Sequence, residues 1–338
     1  MTRIFFTLLL ICSVCCSFTL LIGDGKKSPA ASPAEIQTAA VKGFKLLQTC
    51  GVVFVNNAKC ASCHHATMTS MVAATLASKG ITGIDTTAQM REMAMIGTLQ
   101  FGFNPNMVHQ FITAKFIGPY MLLGLAAQQT PPSIYTDLAV DYAISQFLPD
   151  GSCKAEYARV PLEAGDIHLT AMSIRSVQLY AAPAKAKQVA QLVAHTRQWL
   201  ENQHPHNQQE IAFQLMGLQW TGANASVINA VAQQLAGMQN KDGGWSQLSS
   251  MASDAYATGQ VLYALEIAGL QEKQNNAFQN GINYLLKTQT AAGAWPMVSR
   301  SNPIQPYINS DFPPYDDNQF IAAAAANWAV LALAGALP

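Results

Sequence analysis

Two kinds of helical segment alternate along this chain, and that alternation constrains the fold more than any single motif. Residues 185–203 carry Val189, Leu192, Val193, Thr196, Trp199 and Leu200 on one side, with Lys185, Lys187, Arg197 and Glu201 on the other. This spacing predicts a surface helix with one apolar stripe, entered just after Pro183. Residues 254–269, DAYATGQVLYALEIAG, are apolar nearly all round, and their only interior charge, Glu266, lies near the end. Such a segment predicts a helix buried on every side. Surface-type segments fall near 34–49, 86–100, 133–147, 185–203, 225–239 and 274–289. A buried-type segment follows each, near 64–79, 117–129, 166–181, 207–220, 254–269 and 318–335. This long-period repeat predicts an all-α fold, a single (α/α)6 toroid in which each outer helix feeds an inner one. Alanines such as those at 322–326 let the inner helices approach closely.

The connections are unequal. Inner-to-outer turns are short, whereas the outer-to-inner links 148–165, 240–253 and 290–317 are long. If all inner helices run the same way, their N-termini meet at one end beneath those loops, where functional residues usually sit. Two of the links begin alike: Gln239, Gly243 and Trp245 repeat as Gln289, Gly293 and Trp295, and Gln146 with Gly151 forms a weaker copy. Glycine supplies the turn that ends the outer helix. The glutamine can satisfy backbone groups there, and the tryptophan packs over the corner.

These repeats resemble the QW motifs of squalene–hopene cyclases and of related terpenoid cyclase and protein prenyltransferase toroids. Residues 161–183, 253–265 and 305–333 also resemble segments of exported, cyclase-like bacterial proteins that carry a Cys-x-Ser-Cys-His-His stretch near their start. The resemblance covers about residues 34–338 and implies the toroid fold and a small apolar or isoprenoid-like ligand. It carries the reaction less well. Squalene–hopene-type cyclases have two barrels and an Asp-x-Asp-Asp acid; this chain has length for one barrel, and its aspartates form neither that string nor Asp-Asp-x-x-Asp. Fold alone does not assign chemistry.

Polar residues converge on the expected mouth. Asp166 and His168 open the third inner helix, Asp254 and Tyr256 the fifth, Asp316, Asp317 and Gln319 the sixth, and His64 and His65 the first. Aspartate at a helix start is often a cap. The functional alternative is a polar pocket lined by Asp166, His168, Asp254 and Asp317, with Asp317 or Asp254 as the acid. The Asp166–His168 pair resembles the Asp-x-Cys zinc ligands of prenyltransferase β subunits, but the cysteine is absent and His109 has no assigned place as a third ligand. Zinc is not expected there. His195, His204 and His206, on or after an outer helix, read as solvated surface histidines.

Cys60-Ala61-Ser62-Cys63-His64 is the attachment pattern of c-type haem, in which two thiols add to the vinyls and the histidine takes the iron. The preceding TCGVVFVNNAK looks like the opening of a small cytochrome c. The likeness stops at His65, because ATMTSMVAATLASKG continues as the first inner helix. Met68, Met71, Met90, Met93, Met95 and Met107 could each be a second axial ligand, although methionines at helical spacing are more often core. The competing readings are a Cys60–Cys63 redox pair, a zinc or copper site using Cys60, Cys63, His64 and His65, and a structural disulfide with Cys50 or Cys153.

The first residues bear on location. Arg3 precedes an apolar run from 4 to 22, after which Gly23-Asp24-Gly25-Lys26-Lys27 turns polar. Residues 1–27 therefore read as an export signal or a retained membrane anchor, giving an exported chain, periplasmic or membrane-associated. Cys12, Cys15 and Cys16 lie within that run. With 19 basic and 19 acidic residues, the chain has no basic face for nucleic acid. The expected protein is an exported toroid that binds an apolar ligand, with haem c at Cys60, Cys63 and His64 for a redox role. The alternatives are a haem-free lyase or isomerase of an isoprenoid or polysaccharide, and a scaffold without catalysis.

Overall fold

A computed structural model describes residues 30–102, 114–156, 159–271, 275–301 and 308–338. The N-terminal segment 1–27, Met107 and His109 lie outside the described residues. Among the described residues are twelve α-helices, in outer–inner order: α1 (Pro33–Ala58), α2 (Met68–Ser78), α3 (Ala88–Gly102), α4 (Ala114–Ala127), α5 (Ile134–Ser145), α6 (Asp166–Tyr180), α7 (Ala186–Glu201), α8 (Gln208–Thr221), α9 (Ala225–Gly237), α10 (Ala255–Ile267), α11 (Asn275–Thr288) and α12 (Gln319–Gly335). A π-helical turn, Cys63–Thr67, leads into α2.

The even-numbered helices form the inner wall. Each touches the next, α2 to α4, α6, α8, α10 and α12, and α12 returns to α2, so the ring closes. Every residue of α12 from Gln319 to Gly335 is buried, as its uniform apolarity demands. The outer α7, by contrast, buries only Thr196 and Leu200. Inner helices approach to backbone contact where side chains vanish. A Cβ at Gly259 in α10 would lie 2.6 Å from the backbone nitrogen of Ala329 in α12.

The inner N-termini do share one end. At the α8 start, the Gln209 amide donates to the Pro161 carbonyl at 2.8 Å, just ahead of α6, and its carbonyl accepts from the Tyr256 hydroxyl of α10 at 3.0 Å. The C-termini meet at the other end, where Lys79 Nζ donates to the Leu337 carbonyl. The start of α1 is fixed by a capping box: the Glu35 amide donates to Ser32 Oγ and the Ser32 amide to Glu35 Oε2. Its end runs past the expected 49 to Ala58, because the stretch that looked like a cytochrome opening simply continues the helix.

The paired motifs act as staples between neighbouring outer helices. Gln239 Nε2 donates to the Gly243 carbonyl and, at 2.7 Å, to the Ala277 carbonyl of α11. Gln289 Nε2 donates to the Gly293 carbonyl and, at 3.0 Å, to the Ala39 carbonyl of α1. The Trp245 and Trp295 indoles donate back to the Leu235 and Leu285 carbonyls. Gly243 and Gly293 hold φ of +90° and +93°, and a Cβ on either would press within 3 Å of the next outer helix's backbone. In the weaker copy Gly151 keeps the role, with φ of +85° and its carbonyl accepting from Thr196 Oγ1, while the Gln146 side chain donates to Ser145 Oγ at the end of its own helix. Replacing Gln289 with Ala removes two carbonyl partners at the ring seam. Unfolding in urea should show a loss of about 1–2 kcal/mol for that variant, and an unchanged midpoint would contradict the staple.

Candidate functional site

At the end where the inner N-termini meet, a cavity of about 190 Å³ opens between the π-turn, the start of α4, the loop before α6 and the loop before α12. Its apolar wall includes Phe54, Ile117, Met121, Leu162 and Phe320. Its polar wall is Cys63, His64, His65, Arg159, Glu163 and Gln319, with Asp316 and Asp317 exposed at the rim.

The histidine pair is held by its backbone, while its rings have few polar partners. Ser62 Oγ accepts from the His65 amide at 2.9 Å and so starts the π-turn. The Asn327 amide of α12 donates to the His64 carbonyl at 2.7 Å and to its own Ala323 carbonyl. Gly51 leaves room for the His65 carbonyl, which a Cβ there would meet at 2.9 Å. The rings are packed by aromatic faces: His65 stacks on Phe54 at 4.6 Å and 6°, and His64 stands edgewise to Phe54 and Phe320. Both imidazoles are buried, yet His64 Nε2 and both nitrogens of His65 lack a hydrogen-bond partner. Burial, together with the Arg159 charge, pushes His64 down to about 3, and burial beside His64 holds His65 well below its ordinary value. Both are therefore neutral at physiological pH.

Arg159 and Glu163 form a bidentate pair at 2.5 Å across the loop before α6. Burial raises the Glu163 carboxyl, and the arginine only partly offsets this. Burial also pushes the Cys63 thiol far up, so it stays protonated.

Of the residues expected around the entrance, Asp317 lines the cavity, and His64 and Cys63 lie within it. Asp166, His168 and Asp254 are at the same end but outside the cavity wall. Asp166 does not cap α6; its carboxylate accepts from the Ala155 amide at 2.9 Å and pairs with Lys154 at 2.6 Å, tying down the preceding loop. Asp254 is a cap, accepting from the Ala257 amide at 2.8 Å, and it also accepts from Gln247. His168 is wholly buried, stacked on Phe213 at 3.8 Å, with Tyr120 and Gln209 at its two nitrogens. Burial pushes it down to about 3, so it is a neutral hub of the inner ring. His195, His204 and His206 are exposed, as expected.

Sequence reasoning did not single out the Arg159–Glu163 pair or Phe54. Opposite charges four residues apart inside a long link were the signal for the first, in a chain where only 11% of residues are charged. Nothing local marked Phe54, which reaches the cavity from the unexpected last turns of α1.

The haem-c pattern requires Cys60, Cys63 and His64 to address one ring. Here the thiols are separated. Cys60 is exposed along an open groove of about 950 Å³ with Met90, Met93 and Phe101, whereas Cys63 and His64 face the smaller cavity. As arranged, these residues do not fit a shared haem. The four described cysteines are free thiols, and among the described residues no group of three or more His, Cys, Asp or Glu side chains is placed to hold a metal ion.

The closed ring of inner helices and the staples between outer helices define an all-α toroid. No family model matches the chain, and no curated protein matches it in sequence. Solved structures do match in fold. The apo type II terpene cyclase MstE from Scytonema superposes with a TM-score of 0.58 at 13% identity, covering 91% of this chain and 99% of that one. A variant of that cyclase in complex with geranylgeranyl dihydroxybenzoate, its substrate, gives 0.59 at 15% identity, covering 90% and 99%.

Proposed function

We propose that this chain is an exported toroid that binds a compact, largely apolar, isoprenoid-like ligand in the cavity at its mouth. The observation that carries the reading is the cavity itself, with an apolar wall of Ile117, Met121, Leu162 and Phe320 facing unpartnered buried imidazoles. Pockets of this composition, mostly apolar with a few convergent polar groups, are typical of small-molecule sites. At about 190 Å³ the cavity falls below the ~300–1,000 Å³ range of drug-sized pockets, which favours a short ligand. The neighbouring cyclase MstE takes a prenylated substrate in the same fold, and that lends the ligand class support. Asp317 at the rim and Glu163 deeper in, its carboxyl raised by burial, are among the carboxyl groups that line the cavity beside a bound ligand. Export rests on the apolar run at residues 4–22 and is checked by fractionating cells that express the whole chain.

Binding is tested by displacing an environment-sensitive dye from the purified toroid with geraniol, farnesol or limonene. Saturable displacement is expected, and Ala61→Phe, which fills the cavity, should weaken it roughly tenfold or more, at a cost of over ~1.4 kcal/mol. The reading fails if none of the three displaces the dye, or if Ala61→Phe leaves displacement unchanged while keeping its fold. Analysis of the recovered probe for rearranged products separates a catalyst from a scaffold.

A further inference from the structure

We infer that the ligand of this cavity is an uncharged isoprenoid bearing a hydroxyl group, seated on the His64–His65 pair, and not a prenyl diphosphate or a bare hydrocarbon. The inference rests on the reading of the mouth cavity as an isoprenoid site and adds the chemistry of the head group.

The argument begins with unmet hydrogen bonds. A neutral imidazole carries one N–H donor and one acceptor nitrogen. His65 is 1% exposed with neither nitrogen partnered, and His64 is 6% exposed with Nε2 unpartnered. Buried polar groups are nearly always satisfied, and leaving one unmet costs about 1–3 kcal/mol. Three such atoms together, on rings whose backbones are pinned by Ser62 and Asn327, mark a place prepared for a polar group.

Charge then selects which group. Among the described lining residues the cation is Arg159, and Glu163 already engages it through two nitrogens. Asp316 and Asp317 stand at the rim. A diphosphate would have to pass those carboxylates and settle without a cation of its own, which low-dielectric surroundings penalise heavily. A protonated amine is drawn by the rim but can only donate, so the imidazole N–H would stay unmet. A hydroxyl both donates and accepts. Seated between the two rings, it can accept from the N–H of one imidazole and donate to the bare nitrogen of the other, while its hydrocarbon lies along Ile117, Met121, Leu162 and Phe320. A hydrocarbon without that group would bury the same surface and leave the nitrogens unpaired.

Four ten-carbon probes separate these outcomes: geraniol, geranyl diphosphate, geranylamine and myrcene, titrated calorimetrically into the wild-type toroid. Geraniol should bind roughly 10- to 100-fold more tightly than the other three. His65→Phe keeps the ring stacked on Phe54 and should bring geraniol down to the affinity of myrcene while leaving myrcene unchanged. In case that variant fails to fold, the imidazole ¹⁵N resonances of wild-type His64 and His65 provide a second readout. They should shift with geraniol and stay in place with myrcene. Equal or tighter binding of the diphosphate, amine or hydrocarbon overturns the hydroxyl inference and leaves the isoprenoid site standing. Failure of all four to bind overturns both.

Discussion

Lowering the pH from 6.5 to 5 should strip about 3–4 kcal/mol from the folding free energy of this toroid, measured by urea unfolding at each pH. The source is a trio of buried imidazoles. His64 and His168 are held down to about 3, and His65 well below its ordinary value of 6.5, in each case chiefly by burial. The folded chain keeps all three neutral, while the unfolded chain protonates them as pH drops below 6.5. Their contribution is therefore complete above pH 6.5 and declines toward about pH 3. Each imidazole approaches a cost of about 1.4 kcal/mol per pH unit in that window, and because the unfolded rings are already half protonated at pH 6.5, three of them lose roughly 5 kcal/mol over 1.5 units. Glu266 works against them. Burial raises its carboxyl to about 7, so it favours the fold below its ordinary 4.5 and loses that contribution as pH climbs to 7. Over the same interval it returns about 2 kcal/mol. Glu163 and Asp254, also raised by burial, act in its direction. His65→Phe should flatten the acid slope by about a third of the imidazole contribution. Stability that is level between pH 6.5 and 5 would show that these rings are hydrated or charged in the fold.

A single methyl group at Gly259 should cost about 3 kcal/mol, because α10 and α12 meet there backbone to backbone. The added Cβ would run into the carbonyl carbon and oxygen of Trp328 and the nitrogen of Ala329, none of which can rotate aside. Relief requires α12 to move, and α12 is buried along its whole length. The control is Gly97 in α3, whose Cβ would meet nothing within 4 Å. Gly97→Ala should gain up to about 1 kcal/mol from helix propensity alone. Opposite signs from the same chemical change, read by thermal or urea unfolding, test the inner-wall contact directly. Similar small effects at both sites would mean the inner helices are less tightly apposed.

The helices were legible because burial leaves a periodic trace. Segments 166–181 and 318–335 differ from the observed α6 and α12 by a residue at most, since uniform apolarity and flanking polar residues fix both type and ends. The staples were legible because Gln, Gly and Trp each do one job at fixed spacing. The site was read less fully. Position along a helix told that Asp166, Asp254 and Asp317 share an end, yet not which of them faces inward. That depends on competing partners: Lys154 and Ala155 draw Asp166 aside, and the amide of Ala257 occupies Asp254. His168, two residues into α6, turns to the buried inner ring, which its residue type could not disclose. The thiols of Cys60 and Cys63 share a motif but not a compartment, because the π-turn begins at Cys63 and leaves Cys60 outside.

The seam where α11 and the loop before α12 meet α1 has a consequence for how the molecule is made. Gln289 reaches Ala39 across 250 positions, and Cys50 reaches Asp311 across 261. Contacts so distant along the chain are slow to form, since the loop they close must first be ordered. Of the elements that cover α1, α12 packs against it most extensively, so part of its buried face stays open until α12 has been made. A helix made early is thus among the last to be fully shielded from water, and during that interval its bare face is open to aggregation or chaperone capture.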